Sequence, residues 1–238
     1  ILNGTKMFIT NGSEADIVIV LAYTNKSLGH KGMSAFIVEK GTKGFTSKKL
    51  ENKLGFRGSD TSELIFEDCY VPDENLVGGV EGTGFSQVMK TLSLERAVAS
   101  AMLTGLIEGC LEASLNYTNT RTTFGKPIIS YGQIQSMLAN MALALEAGRN
   151  LWYKACLYYD NNHPDFYIYS SYAKLFCAKS AVRSAENAVQ IHGGYGYIGE
   201  FPVERYYRDA KLGEIGGGTS QIQEMIIVRK LGSKNYLY

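Results

Sequence analysis

The sequence predicts an α+β fold: a small antiparallel β barrel or sandwich followed by an up-down four-helix bundle. Two observations carry this. Residues 1 to about 75 hold short β-branched and aromatic runs cut by turn clusters, at a spacing that suits antiparallel pairing rather than βαβ units. From Gly84 the apolar residues recur at helical spacing instead.

In chain order, "KMFIT", "DIVIVLAY", "SAFIVEK" and "SELIFEDCYV" read as strands, with turns at "TNGSEAD", "TNKSLGHKG" and "KGTKG". Pro72 ends the last strand, because proline cannot donate to a ladder. Residues 1–78 are therefore the expected β domain and 79–238 the expected bundle. Phe85, Val88, Met89, Leu92, Val98, Met102, Leu103, Leu106, Cys110 and Leu111 mark a first helix. Further helical patterns run at roughly 133–161, 166–191 and 219–232. Long amphipathic helices joined by short loops make a bundle. "YDNNHPDFY" is a polar connector between two of them.

Composition narrows function by exclusion. The 238 residues are 45% apolar and 20% charged, with formal net charge +1. That balance makes no electrostatic case for nucleic acid or an anionic membrane. Apolar runs such as "IVIVLAY" are too short for a membrane span. The opening "ILNGTKMFITNG" lacks the charged-then-apolar order of a secretion signal. Four separated cysteines and three histidines show no metal-ligand spacing, and reduced thiols suit a prokaryotic cytoplasm or a mitochondrial matrix.

Four features can carry chemistry. Glu95 sits on a helix with Thr91, Leu92, Val98, Ala99 and Met102 as face neighbours, a carboxylate on an apolar stripe. It is a candidate general base; the plain alternative is a helix-edge acid reaching solvent or Lys90. Arg121 in "RTTFGKPI" can pair with phosphate, or simply end a helix ahead of Gly and Pro. Gly193 and Gly194 in "QIHGGYGYIGEFPVERYYRDAK" let backbone approach a ligand, or form a cap and turn. Gly216–Gly218 precede Thr219 at a helix start, which is an N-cap and also a place for an anion or a carbonyl oxygen.

In order along the chain, these motifs resemble the acyl-CoA dehydrogenase family of flavoenzymes. The likeness lies in "NGTKMFITNGSEADIVIVLAYT", "NKLGFRGSDTSELIFEDCYVPDENLVGG", "TTFGKPI", "VQIHGGYGYIGEFPVERYYRDAK" and "GTSQIQEMIIVRK". It covers the family's middle β domain, without its early flavin-contacting strand segment, and its C-terminal helical domain. The N-terminal helical domain is absent from these residues.

The resemblance implies FAD as cofactor and an acyl-CoA thioester as substrate. It also implies α,β-dehydrogenation, an electron-transferring flavoprotein as acceptor, and a homo-oligomer, dimer or tetramer. Phe8, Ile9 and Thr10 look like the family's segment on the flavin ring, with Phe8 in place of the usual Trp. Arg121, Thr123, Phe124, Gln190, Gly193 and Gly194 resemble residues that hold the pyrophosphate and adenosine of a neighbouring subunit's FAD. Thr219 and Gln221 resemble FAD contacts at the last helix. Leu94, Arg96, Gly217 and Gly218 fall on the substrate side.

Two departures stand out. A family Gln after "FGKPI" aligns with Gly132, and Gln133 is one residue late. Most of the family reads "YEGTSEIQ" where this chain reads "GGGTSQIQ", so the usual catalytic Glu aligns with Gly217. Isovaleryl-CoA dehydrogenases and some long-chain enzymes of the family carry the base instead in a "LER" context, which here is Leu94-Glu95-Arg96. The resemblance therefore names Glu95 as the catalytic base and points to a short or branched acyl chain. Other readings are a catalytically incompetent piece with a structural or oligomerisation role, and an acyl-CoA oxidase-type relative using O₂.

Overall fold

The computed structural model describes residues 1–232; residues 233–238, the end of the expected bundle domain, lie outside the described residues. The chain divides into two compact units, Ile1–Thr91 and a second that begins at Leu92.

The first unit holds β1 (Leu2–Thr10), β2 (Ile17–Tyr23), β3 (Met33–Glu39), β4 (Phe45–Lys49) and β5 (Thr61–Cys69). β1, β5 and β4 form one antiparallel sheet with β5 in the centre, and β2 and β3 form a separate hairpin. Period-two burial produces this: Ser62, Leu64 and Phe66 of β5 turn inward, as do Val18 and Val20 of β2. Leu2, Val18, Val20, Val38, Leu64, Phe66 and Cys69 make one core, so both sheets bury a face in it. Phe45 stacks on Phe66 with ring centroids 4.9 Å apart.

Of the expected barrel or sandwich, the strands give two sheets on one core and no closed barrel. β2 and β3 share no ladder with the other three strands. The β1–β5 ladder is itself broken by register shifts between Leu2 and Gly4 and between Lys6 and Ile9. Such bulges bend a strand and interrupt the pairing that closure needs.

The end of β1 is tied down by Asp60. Its carboxylate accepts from the Ser13 N–H at 3.0 Å and the Ser62 hydroxyl at 2.9 Å, and its carbonyl accepts from the Asn11 N–H at 3.0 Å. The Ser13 backbone hydrogen bond is the main force holding this carboxyl below the usual carboxylate range.

α1 (Gly84–Thr120) begins in the first unit and continues into the second. The hairpin β6 (Thr122–Thr123) and β7 (Lys126–Pro127) follows it. Then come α2 (Gly132–Asp160), α3 (Phe166–His192), α4 (Val203–Ala210) and α5 (Ser220–Leu231). α1, α2, α3 and α5 are the four expected helices, and the short α4 is an addition. By length and composition alone, α1 is the one described helix that could cross a bilayer. Here it buries Arg96, Ser100, Thr104, Ser114 and Thr118.

α3 is the central element of this unit. Its Ala173, Cys177, Ala178, Ala181, Ala185 and Ala188 are all fully buried. Small side chains let neighbouring helices approach closely. At Gly148 on α2, an added Cβ would lie 3.1 Å from Thr104 Oγ1 on α1 and 3.3 Å from Cys177 Sγ on α3. Leu103, Ile107 and Met141 fill the remaining core, each contributing roughly 1.5–3 kcal/mol by burial.

Candidate active site

The loop between α4 and α5 is short of side chains and rich in imposed geometry. Ile215 and Gly216 donate their N–H groups to the Leu212 carbonyl at 3.0 and 2.8 Å, closing a tight turn. Gly217 (φ 64°) and Gly218 (φ 93°) then adopt left-handed backbone that glycine alone takes without strain. Thr219 caps α5, accepting from the Ile222 N–H at 3.4 Å.

Three helices hold this loop by its carbonyls. Arg96 of α1 donates Nε to the Gly217 oxygen at 3.2 Å. Lys174 of α3 donates Nζ to the Gly218 oxygen at 3.0 Å and also to the Gly213 oxygen. Gln223 of α5 donates Nε2 to the Gly218 oxygen at 3.0 Å. All three side chains are buried: Arg96 is 5% exposed, Lys174 1% and Gln223 0%. Burial pushes Lys174 down to about 8, assisted by the neighbouring Arg96 charge and opposed by Glu95 and Glu214. Burial also lowers Arg96, and Glu95 works against it.

In a planar trans peptide, C=O and the following N–H point opposite ways. Holding the Gly217 and Gly218 carbonyls therefore turns the Gly218 and Thr219 N–H groups away from Arg96, Lys174 and Gln223. No hydrogen bond from the Gly217 or Gly218 N–H is found among the described residues. The loop thus offers backbone donors to something outside itself.

Glu95 stands opposite. A Cβ added at Gly217 would lie 3.3 Å from Glu95 Oε1. The carboxylate therefore occupies the space into which a side chain at 217 would point. Glu95 is not enclosed by its apolar stripe as its sequence neighbours suggest: it is exposed, as are Val98 (59%) and Met102 (50%). α1 needs its other faces for the bundle, so this stripe faces away from the unit's core. Leu94 turns aside to pack with Ala97, Ala155 and Phe166.

A second cluster surrounds a cavity of about 730 Å³ lined by Arg121, Thr123, Phe124, His192, Gly193, Gly194 and neighbours. Phe124 (φ 49°) and Gly125 (φ 79°) form the two-residue turn between β6 and β7, where both central residues need positive φ. A phenylalanine there is strained, yet its ring is 97% exposed. Tyr131 braces the hairpin through its hydroxyl to the Thr123 carbonyl at 2.9 Å. Gly193 (φ 59°) ends α3, and at both Gly193 and Gly194 an added Cβ would meet nothing within 4 Å. Gln133 lines the cavity, while Gly132 opens α2.

His192 is 2% exposed and lines the same cavity. Its Nδ1 lies 2.8 Å from the Ala188 carbonyl, so the proton belongs on Nδ1. Nε2 is then an acceptor, buried and without a partner. Burial keeps the imidazole below its usual range and neutral at pH 7. A cation, an exposed ring, open glycine backbone and an unpartnered acceptor together suit a ligand with phosphate and heteroaromatic parts. Gln190 is exposed near the same helix end, and Gln221 is exposed on the first turn of α5; neither lines the cavity.

In the first unit, Phe8 has φ 61° and lies at the register shift between Lys6 and Ile9, 76% exposed. Ile9 packs on the core, while Thr10 is exposed and pairs with Thr61.

Sequence reasoning missed Lys174, Gln223 and His192. Lys174 had a signal: Cys177, Ala178 and Ala181 lie three, four and seven residues on, so a lysine stands on the most apolar helix face. A lysine there must find carbonyls or an acid.

Comparison with known proteins agrees with this arrangement. Residues 1–69 match the family model of the acyl-CoA dehydrogenase middle domain, and residues 82–232 that of the C-terminal domain. The cyclohex-1-ene-1-carbonyl-CoA dehydrogenase of Geobacter metallireducens is 46% identical over 97% of this chain and 60% of its own length. The mitochondrial short-chain specific acyl-CoA dehydrogenase of Mus musculus is 45% identical over 97% and 56%. The structure of butyryl-CoA dehydrogenase from Megasphaera elsdenii superposes with a TM-score of 0.92 at 45% identity, over 96% of this chain and 59% of that one. The chain thus spans less than two thirds of the relatives it matches. With both domain models matched in order, and relatives at this identity over nearly its whole length, the chain belongs to the acyl-CoA dehydrogenase family.

Proposed function

We propose that this chain supplies the catalytic base, the thioester-binding loop and part of the flavin site of an FAD-dependent acyl-CoA dehydrogenase. Its substrate is a short or branched acyl-CoA thioester. The middle β domain occupies residues 1–78 and the helical domain 79–238. One observation carries the reading: Glu95 Oε1 is 3.3 Å from the Cβ position of Gly217, where most of the family carries its glutamate.

Bound FAD supplies the acceptor for the hydride that leaves the substrate's β carbon. Glu95 takes the α proton onto its carboxylate. The Gly217 N–H donates to the thioester oxygen and stabilises the charge that develops there. Arg121, Thr123 and Phe124 would hold the pyrophosphate and adenosine of a neighbouring subunit's FAD. Gln190, Gly193 and Gly194 close the same site by backbone approach and side-chain contact. By the family resemblance, Thr219 and Gln221 would contact FAD from α5, and Phe8, Ile9 and Thr10 would belong to the segment on the flavin ring. On the substrate side Arg96 acts by holding the loop and Gly218 by lying in it, while Leu94 packs behind Glu95 against Ala97, Ala155 and Phe166.

The subgroup reading is narrower: a base at Glu95 with a glycine at 217 is the isovaleryl-type pattern, which supports a branched short chain. The family resemblance supports a homo-oligomer and an electron-transferring flavoprotein as electron acceptor, in a prokaryotic cytoplasm or a mitochondrial matrix. Anaerobic addition of acyl-CoA to the full-length, FAD-loaded protein tests the reading. The flavin absorbance should bleach, and Glu95→Gln should slow this by roughly 100-fold or more. A variant that keeps most of its rate removes Glu95 from this role. Peroxide on re-aeration would mark an oxidase, and a colourless protein that takes up no FAD a structural piece.

A further inference from the structure

We propose that Lys174 is a positioning residue for this reaction: it clamps the Gly213 and Gly218 carbonyls and so fixes the backbone of the loop that carries Gly217 against Glu95. The inference rests on the Glu95 reading above and deepens it.

The segment from Gly213 to Gly218 has little stiffness of its own, since four of its six residues are glycine. Its shape must be imposed from outside. Lys174 does so at both ends with one nitrogen, reaching the Gly213 and Gly218 oxygens. Arg96 fixes the carbonyl of Gly217 between them. On the far side Gly213 lies against Leu103, where an added Cβ would come within 2.5 Å of Cδ2, so the loop cannot slide that way. A bundle core gains nothing by itself from a buried ammonium, which an apolar residue of similar size could replace without desolvation. Lys174 makes sense as the residue that keeps a glycine loop in one conformation.

The charged groups facing it are Arg96 and Glu95 from α1 and Glu214 from the loop. Both acids favour the ammonium, while burial and Arg96 oppose it. The base and the clamp are thus electrostatically linked, although Lys174 touches neither substrate nor cofactor in this scheme.

The test uses the full-length, FAD-loaded enzyme and carbonyl-labelled butyryl-CoA. In a Glu95→Gln background, the infrared stretch of the bound thioester carbonyl reports the loop's donors without turnover. Adding Lys174→Met should return most of the binding-induced shift toward the free thioester. With Glu95 intact, Lys174→Met should slow flavin reduction by about 10- to 100-fold, the scale of a misplaced reacting group, and leave KM within a few-fold. Lys174→Gln keeps one donor and should lie between; it also serves if the methionine variant does not fold. An unchanged carbonyl stretch together with an unchanged rate overturns the proposal. Full turnover by Glu95→Gln would remove the base reading alone, and the carbonyl stretch of bound pivaloyl-CoA, which has no α proton to lose, would still decide the role of Lys174.

Discussion

The glycine loop and the hairpin cavity belong to one compact unit and solve different problems. In the loop, the Gly213, Gly217 and Gly218 carbonyls are held from inside by buried side chains of three helices. Around the cavity, the ligand-facing groups are exposed, strained or unpartnered: Phe124, Arg121 and His192 Nε2. The loop is over-determined by its own protein contacts, whereas the cavity wall is not. That division follows from the tasks. A donor facing a developing oxyanion must be placed to a fraction of an ångström, since small misplacements cost orders of magnitude in rate. A cofactor handle spreads its affinity over many contacts and tolerates looseness.

The largest effect should come from moving the base across the loop. Glu95→Gln or Glu95→Gly alone is expected to lose roughly two or more orders of magnitude in flavin reduction. In a Glu95→Gly background, Gly217→Glu puts a carboxylate back into the space that the Glu95 side chain vacates, because the Cβ at 217 points at Glu95. The double variant should recover at least about tenfold of the loss, less than all of it. The left-handed backbone at 217 costs a side chain roughly 1–2 kcal/mol. Stopped-flow reduction of the single and double variants measures this. No recovery at all would mean that the two positions do not serve one reacting carbon.

Part of this comparison was readable in the sequence and part was not. Periods of two and of 3.6 residues separated the β region from the helical one, because each face of an element must find the core. Thr219 read as an N-cap and is one. The lack of closure was not legible, because closure depends on ladder register and the β1 register shifts leave no clear mark in a run such as "GTKMFIT". The tie between Glu95 and Gly217 joins residues far apart in sequence, and no local pattern encodes it. The sequence shows an apolar stripe beside Glu95, yet Val98 and Met102 on it are exposed. Periodicity identifies an apolar face without saying what covers it. Lys174 was written on the chain as a charge in an apolar stripe, but the carbonyls it serves lie in another segment.

The next effect is thermodynamic and has a defined pH window. Burial lowers Lys174 from 10.5 to about 8 in the folded protein. Below about pH 8 both folded and unfolded chains carry the proton, and the folded state bears the cost of the buried charge. Between about 8 and 10.5 the unfolded chain binds a proton that the folded chain lacks, so this group makes stability rise with pH. Relative to Lys174→Met, which cannot titrate, the parent should gain on the order of 1–3 kcal/mol across that window. Urea unfolding of both proteins at pH 7.5 and 9.5 tests it. A difference that does not change between these pH values would show that the ammonium is not held buried, and the loop would lose its claim to a charged clamp.

On the cavity side the effects should be smaller and should separate affinity from chemistry. Arg121→Ala is expected to weaken FAD retention by about 10-fold or more, the scale of one charged hydrogen-bonded contact, with little change in flavin reduction once the cofactor is bound. Equilibrium dialysis of FAD against the full-length protein, followed by reduction kinetics at saturating FAD, checks both halves. A fall in rate with unchanged retention would move Arg121 from the handle to the chemistry.

The smallest effect is the most diagnostic of strain. Phe124 occupies a position whose φ of 49° disfavours any side chain, and its ring is almost fully exposed, so it contributes little to the fold. Phe124→Gly should therefore raise thermal stability, by about 1 kcal/mol from relief of left-handed strain less the entropy that glycine adds to the unfolded chain. The same substitution removes the ring from the cavity wall and should loosen FAD by a few-fold, since one stacking contact is worth about 0.5–1.5 kcal/mol. Opposite signs for the two measurements, unfolding of the apoprotein and FAD affinity, are what a residue strained for the sake of a ligand must give. If both fall together, Phe124 supports the hairpin itself, and the contrast between a braced loop and a less constrained cavity wall loses its clearest example.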